Sequence, residues 1–257
     1  MNQTPGTFVW YDLITSDVDG AVRFYGDVLG WGTEEFEPGN PYRMWTSAAG
    51  PLGGVTALSD ETGRAEAAPH WMAHVSVDDV DTTAAKAAAI GGGIVVPPTD
   101  IPSVGRFAVI HDPHGAELSI FKGHSPTRPA ALPAAGDMVW HELMAGNVEA
   151  ALRFYAALFG WEKADALESP MGVYQMYRQG DRILGGMMSR PAGYPFAPHW
   201  LYYTCVTDLD AALERVKKAG GQVLHGPMDV PGGRVAQCFD PQKAQFAMFT
   251  GTEPAAA

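Results

Sequence analysis

The sequence predicts an α+β protein made of four β-α-β-β-β units, two in each of two similar halves. Three observations carry this. The first is that the chain repeats itself. VWYDL (Val9 to Leu13) returns as VWHEL (Val139 to Leu143). RFYGDVLGW (Arg23 to Trp31) returns as RFYAALFGW (Arg153 to Trp161), five of nine residues identical, more than chance gives over so short a run. APHWMAHVSVDDVD (Ala68 to Asp81) pairs with APHWLYYTCVTDLD (Ala197 to Asp210), and VGRFAVIHDPHGAELSIF (Val104 to Phe121) pairs with GGRVAQCFDPQKAQFAMF (Gly232 to Phe249). The offset drifts only from 130 to 128, so one duplication spans nearly the whole chain, and it has to be recognised before any element is assigned. The second observation is the order of signals inside each copy: strand, helix, about three short strands, then the same again. The third is KGHSPTRPAALPAAGD (Lys122 to Asp137), which is rich in Pro and Ala, lacks apolar periodicity, and reads as a linker.

The elements follow in order. Phe8 to Ile14 reads as a strand. Asp17 stands where a helix N-cap belongs, its side chain able to take a free backbone N–H. Val22, Tyr25, Val28 and Leu29 then recur at helical spacing, and Gly30 ends the helix because glycine tolerates the left-handed conformation. Tyr25 and its counterpart Tyr155 read as packing residues. Trp71 to Val77 is a second strand, and an Ala-rich helix runs from about Asp79 to Ile90, stopped by Gly91-Gly92-Gly93. Short β-like stretches around Ile94, Phe107 and Leu118 complete the half. The pairs Gly53-Gly54 and Gly185-Gly186 lack the Lys and Ser/Thr of a phosphate loop and read as strand positions where another segment comes close.

Composition excludes several functions. A net charge of −12 is wrong for a phosphate backbone and for an anionic membrane surface. No run of 18 apolar residues exists to span a bilayer. MNQTPGTFVWYDL has no basic stretch followed by an apolar one, so no secretory signal is expected. The two cysteines, Cys205 and Cys238, form no CxxC and read as reduced thiols of a cytoplasmic protein.

The text SDVDGAVRFYGDVLGW with DPHGAELSIF, and GNVEAALRFYAALFGW with DPQKAQFAMF, resembles the vicinal oxygen chelate superfamily of glyoxalases, bleomycin resistance proteins and extradiol dioxygenases. The resemblance covers roughly residues 7–122 and 137–250. It implies two cup-shaped glyoxalase-like domains at 1–122 and 137–250, a linker at 123–136 and a tail at 251–257. It also implies a small-molecule ligand on the inner face of a cup. The tandem form looks most like bacterial proteins described as glyoxalase-related or as hydroxylases, and secondary metabolism is the expected setting. With the pairing already made within one chain, a monomer or a homodimer is expected.

The resemblance further implies metal ligands on the first strand of each unit and on a last strand. Counting seven residues back from each helix cap and seven on from the Asp of DPxG reaches Trp10, Met72 and Ser119 in one half, and Trp140, Leu201 and Ala247 in the other. An indole N–H is a donor only, and Leu and Ala offer no ligand atom. No cofactor is therefore expected at the usual place. The alternative is a divalent transition metal held one pleat away by Asp12, His74 and Glu117, since residues two apart on a strand share a face.

Asp12 and Glu142, each on the face of a Trp, are the candidate acid–base groups, with His74 beside them. Desolvation on a cup floor should raise a carboxyl pKa toward a useful range. Trp10, Trp45, Met72, Trp140, Tyr174, Met176 and Tyr203 are the candidate ligand-lining residues, aromatic and thioether surfaces suited to a planar ligand. Tyr42 belongs to the same aromatic group. His70 and His199 read as strand-start hydrogen-bonding residues, with a pocket role as the alternative for both and His199 the candidate ligand contact. His141, on the opposite face from Glu142, reads as packed against a helix or solvated. Arg106 and Arg234 read as turn-supporting ion pairs. Two functions stay open. One is a glyoxalase-related enzyme, hydroxylase-like or lyase/isomerase, acting on a small metabolite, with an aromatic one among the options. The other is a binding protein that sequesters a drug or metabolite without catalysis.

Overall fold

The structure is a computed structural model and describes residues 4–37, 39–58, 68–124, 134–169 and 172–251. The first half runs β1 (Phe8–Thr15), α1 (Val18–Leu29), β2 (Gly32–Glu35), β3 (Arg43–Ser47), β4 (Gly50–Ala57), β5 (His70–Ser76), α2 (Val80–Ala89), β6 (Gly93–Ile101), β7 (Gly105–His111), β8 (Glu117–Gly123). The second runs β9 (Met138–Ala145), α3 (Val148–Phe159), β10 (Glu162–Ser169), β11 (Gly172–Gln179), β12 (Arg182–Ser189), β13 (His199–Cys205), α4 (Leu209–Lys218), β14 (Gln222–Val230), β15 (Gly233–Phe239), β16 (Gln245–Gly251). These are the four expected β-α-β-β-β units. Most of the linker, and the tail after Gly251, lie outside the described residues.

Each helix starts as its sequence dictates. Asp17, Asp79, Asn147 and Asp208 sit in extended conformation and accept a backbone N–H three residues on. Such a cap contributes about 1 kcal/mol. Gly30 and Gly160 end α1 and α3 at φ 74° and 71°, the left-handed region that disfavours side chains with a Cβ. Arg106 pairs with Asp81 and Asp100, and Arg234 with Asp210, the ion pairs that their sequence positions suggest.

Each half forms one eight-stranded sheet, ordered β2-β3-β4-β1-β5-β8-β7-β6 and β10-β11-β12-β9-β13-β16-β15-β14. The two units of a half meet where their first strands pair antiparallel, β1 with β5 and β9 with β13. The sheet curls into a half-barrel with its helices outside. Alternation along β1 then separates two roles. Tyr11, Leu13 and Thr15 are buried toward the helices, while Trp10 and Asp12 face the inside of the cup and stay half-buried.

The outer faces of both halves merge into one hydrophobic core. The repeated LGW and FGW tryptophans explain part of the join. Trp31 donates to the Gly136 carbonyl at 2.8 Å and Trp161 to the Gly6 carbonyl at 2.7 Å, so each grips the segment leading into the other half. Tyr25 donates across to Asp240 at 3.2 Å. His141 is neither solvated nor helix-packed. It is buried where β1 and β9 face each other, stacked on Phe8 at 3.7 Å and 6°. Its Nδ1–H donates to the Leu184 carbonyl at 2.7 Å, so Nε2 accepts from the Tyr11 hydroxyl at 2.6 Å. Burial holds its pKa down to about 3 from the ordinary 6.5. The unfolded chain therefore takes up this proton first as pH falls. The stability contributed by neutral His141 is complete above about pH 6.5 and is lost progressively toward pH 3, by about 1.4 kcal/mol per pH unit. Denaturant titrations at pH 7 and pH 5 should show this loss, and His141→Gln should flatten it. An equal slope in the variant would refute the assignment to His141.

Candidate functional site

In the first cup, β1 and β5 pair so that Asp12 lies opposite Met72 and Trp10 opposite His74. The parallel pair β5 and β8 sets Ser119 beside His74. On the inner face Asp12 and His74 meet: Nε2–H of His74 donates to Asp12 Oδ2 at 2.8 Å. The other carboxylate oxygen, Oδ1, accepts from the Tyr42 hydroxyl at 2.7 Å and from Trp10 Nε1–H at 3.0 Å. The Trp10 N–H is shared with the Tyr42 oxygen at 2.7 Å. A carboxylate with these donors is held in one orientation, and it fixes the imidazole tautomer with its lone pair on Nδ1. The pair is sunk but not sealed, with side-chain exposures of 19% for Asp12 and 10% for His74. Phe107 and Phe121 flank the imidazole, at ring-centroid distances of 6.5 and 6.1 Å.

The second cup repeats the frame with other chemistry. Trp140 Nε1–H donates to the Tyr174 oxygen at 2.8 Å, and Tyr174 donates to Glu142 Oε2 at 3.0 Å. Tyr203 replaces His74. It hydrogen-bonds Glu142 as well, and Gln237 Nε2–H bridges Glu142 Oε1 at 3.3 Å and the Tyr203 oxygen at 3.1 Å. Burial raises the Glu142 pKa above its ordinary value, against the lowering effect of the Tyr174 and Tyr203 hydroxyls. Burial and the nearby Glu142 charge hold the Tyr203 hydroxyl well above the ordinary tyrosine range.

The glycine pairs make this frame possible. A Cβ on Gly54 would lie 1.9 Å from the Tyr42 oxygen, and one on Gly186 would lie 2.0 Å from the Tyr174 ring. Only glycine there lets the tyrosine lie flat across the strand to reach the carboxylate. Tyr42 and Tyr174 are thus equivalent parts of one device, which the sequence shows only as scattered aromatics. Gln237 carried no sequence signal at all, since its counterpart in the first half is Val109.

Other site candidates separate by face. Trp45 is not in the cup. It pairs with Gly53, which pairs with Tyr11, so it points to the core, fully buried beside Tyr25, Trp31 and Trp71. Its neighbour Met44, opposite Gly54, occupies the inner-face position that Met176 holds opposite Gly186. Met72 lies on the inner face beside Asp12, as Leu201 does beside Glu142. His199 donates Nδ1–H to the Ala197 carbonyl at 2.7 Å, and His70 makes the same bond to Ala68 at 2.8 Å. The His199 ring also stacks on Tyr194 at 6.3 Å and 10°.

The strand register shows how the counted ligand positions lie. Residues level across the three central strands are Trp10, His74 and Ser119 in one cup and Trp140, Tyr203 and Ala247 in the other, so Met72 and Leu201 stand one pleat off. The level set, like the counted one, does not fit a metal. It offers an indole N–H, an imidazole engaged by Asp12 and a hydroxyl that donates to the Ala108 carbonyl at 3.2 Å; or indole, phenol and methyl. In the shifted trio Asp12 and His74 do meet. Glu117, however, lies two residues before Ser119, a pleat away from the partner of His74. Among the described residues no three His, Cys, Asp or Glu side chains cluster closely enough to hold an ion. No helix among them is long and apolar enough to cross a membrane.

The Glyoxalase/Bleomycin resistance protein/Dioxygenase superfamily model matches residues 7–120 and 138–248. A Mycobacterium bovis protein named as a candidate glyoxylase, CFP32, is 32% identical over 95% of this chain and 94% of its own length. The anthracycline biosynthesis protein DnrV of Streptomyces peucetius is 29% identical over 98% of this chain and 97% of its own. Among solved structures, the 2,3-dioxygenase LapB of Pseudomonas sp. KL28 superposes with a TM-score of 0.66 at 14% identity, covering 97% of this chain and 94% of that one. The Mn(II)-bound glyoxalase of Novosphingobium aromaticivorans gives 0.62 at 14%, covering 100% and 86%. At that identity these structures speak for the fold alone. With both halves matched by the family model and a relative above 30% identity over nearly the full length, this chain belongs to the Glyoxalase/Bleomycin resistance protein/Dioxygenase superfamily.

Proposed function

We propose that the chain is a small-molecule enzyme of the lyase/isomerase kind that moves a proton on an aromatic metabolite, using the Asp12–His74 pair of the first cup as its base. The observation that carries this is the 2.8 Å bond from His74 Nε2–H to a carboxylate already held by Tyr42 and Trp10. The arrangement is that of an oriented general base. Asp12 fixes the tautomer, His74 Nδ1 takes the substrate proton, and the imidazolium that forms is stabilised by the carboxylate behind it. Trp10 and Phe107 offer apolar surface to a planar substrate. The Streptomyces relative, named for anthracycline biosynthesis, supports an aromatic metabolite.

The second reading, a binding protein without catalysis, is favoured by the second cup, whose carboxyl lies among phenols with no imidazole. Asp12→Asn separates the two. Under the enzyme reading turnover collapses while ligand affinity changes little. Under the binding reading no turnover is found in the parent protein with any ligand that the cup retains.

The donor set also makes a metal prediction. Protein purified without chelator should carry far less than one equivalent of transition metal by elemental analysis, and turnover should survive exhaustive chelation. One equivalent of metal that His74→Ala abolishes would restore the shifted site at Asp12, His74 and Glu117 and contradict the account.

A further inference from the structure

We infer that Tyr42 is a positioning residue of the first cup: by donating its hydroxyl to Asp12 it sets how strongly that carboxylate stabilises the protonated His74 ring, and with it the pH above which His74 is a free base. The inference rests on the reading of His74 as the base, and it names the residue that adjusts it.

Tyr42 stands one residue before β3, at the end of a tight turn. The Asn40 N–H donates to the Glu37 carbonyl at 3.0 Å, and the Asn40 side-chain oxygen accepts the Tyr42 N–H at 3.0 Å. Phe36 meets the Tyr42 ring edge-on at 6.0 Å and 87°. The ring then passes over Gly54, where a Cβ would lie 1.9 Å from its oxygen. Turn, ring contact and glycine thus fix one side chain. Its hydroxyl donates to Asp12 Oδ1 at 2.7 Å and accepts from Trp10 Nε1–H at 2.7 Å. Burial, and next the Asp12 charge, hold this hydroxyl well above the ordinary tyrosine range, so it stays a donor through the neutral range.

The sign of its effect follows from how a carboxylate divides its charge among its donors. Asp12 Oδ1 carries the Tyr42 hydroxyl and part of the Trp10 N–H, while Oδ2 carries His74 at 2.8 Å. Each donor at Oδ1 draws charge from Oδ2, so less is left to stabilise an imidazolium. Without Tyr42 the carboxylate would hold a protonated ring more firmly, and His74 would stay unavailable as a base to higher pH. Trp10, at 3.0 Å and shared, does not replace a full donor at 2.7 Å. Other titratable groups share the inner face. Glu117 of β8 and His111 of β7 stand opposite each other, one pleat from the Ser119–Val109 pair that lies level with His74, and His70 is two pleats back on β5. Asp12 is the group hydrogen-bonded to the ring. The second cup carries the same clamp without a base: Tyr174 donates to Glu142, but Tyr203 stands where His74 would be.

The test is ring-nitrogen NMR of the His74 imidazole against pH, on the full chain without substrate, in the parent, Tyr42→Phe, Gly54→Ala and Tyr174→Phe. Tyr42→Phe should move the His74 titration midpoint up by about half a pH unit or more, which is about threefold in proton affinity. Gly54→Ala should move it the same way, because its Cβ meets the far end of Tyr42 and displaces it. Tyr174→Phe, in the other cup, should leave the midpoint within about 0.1 unit of the parent. With any substrate found, the acid limb of kcat/KM should follow the midpoint, with KM changed less than about twofold. A purely structural Tyr42 would lower turnover at every pH and leave the midpoint in place. The inference is overturned by a midpoint unmoved or lowered in Tyr42→Phe, or by an equal shift in Tyr174→Phe. Backbone amide spectra report the folding of each variant, and if Tyr42→Phe does not fold, Gly54→Ala decides by the same criterion. An unmoved midpoint with turnover lost in His74→Ala defeats this inference alone. A midpoint that moves as expected with turnover intact in His74→Ala defeats the assignment of the base alone.

Discussion

His74→Ala should lower turnover by about 10² to 10⁴, the range for removal of a positioned general base, equivalent to about 3–5.5 kcal/mol of barrier. The Nε2–H of His74 is committed to Asp12, which leaves Nδ1 as the basic nitrogen of the pair. Asp12→Asn should act nearly as strongly for a different reason. The amide keeps the shape and accepts from Tyr42, but it no longer stabilises an imidazolium or enforces the tautomer. The two changes act on one unit, so the double variant should be little worse than His74→Ala alone. Additive losses would mean that the residues serve separate steps. The measurement is kcat with any substrate found for the parent, alongside ligand affinity by titration. A fall in affinity that matches the fall in kcat/KM would indicate a lost binding contact and not a lost base.

Gly185→Ala should be the most damaging single-atom change for the fold, and Gly186→Ala, one residue on, should not be. A Cβ at Gly185 would sit 1.8 Å from the His141 carbonyl oxygen, a main-chain atom of the neighbouring strand. Strand β9 cannot yield there, because its carbonyls pair with β12 and His141 is stacked at the junction of the two halves. A loss of about 4 kcal/mol or more, or failure to fold, is expected. At Gly186 the obstacle is the far end of Tyr174, which can swing away. That variant should fold with a loss of no more than about 1–2 kcal/mol. It should part Tyr174 from Glu142, and so change the second cup without unfolding the protein. Denaturant midpoints for the two variants check the contrast. Equal destabilisation would mean that the tyrosine is as rigid as the backbone.

The fold was legible because its signals are local. Capping residues, helix-ending glycines and strand alternation each act within a few residues, and the duplication read them out twice. The faces within β1 and β5 were legible for the same reason: a period of two put Asp12 on the face of Trp10 and His74 on the face of Met72, while bringing the two strands together took the family resemblance. Across strands this legibility stopped. Trp45 was misplaced because its face is set by pairing with Gly53, and no local pattern gives that register. Which inner-face residues of neighbouring strands stand level was also out of reach, because antiparallel neighbours move in opposite directions as residue numbers rise. Tyr42 and Gln237 reach their carboxylates from strands or loops far along the chain, and a partner chosen by tertiary approach leaves no spacing to count. The burial of His141 is a property of the junction between halves, which exists only once both sheets have formed.

The most direct test of the central claim needs no substrate. Long-range ¹H–¹⁵N spectra of the histidine rings at neutral pH report which nitrogen of His74 carries the proton. The account predicts an Nε2–H imidazole with its lone pair on Nδ1 in the parent protein, and loss of that single tautomer in Asp12→Asn. An Nδ1–H ring in the parent, or the same spectrum in both proteins, would contradict it.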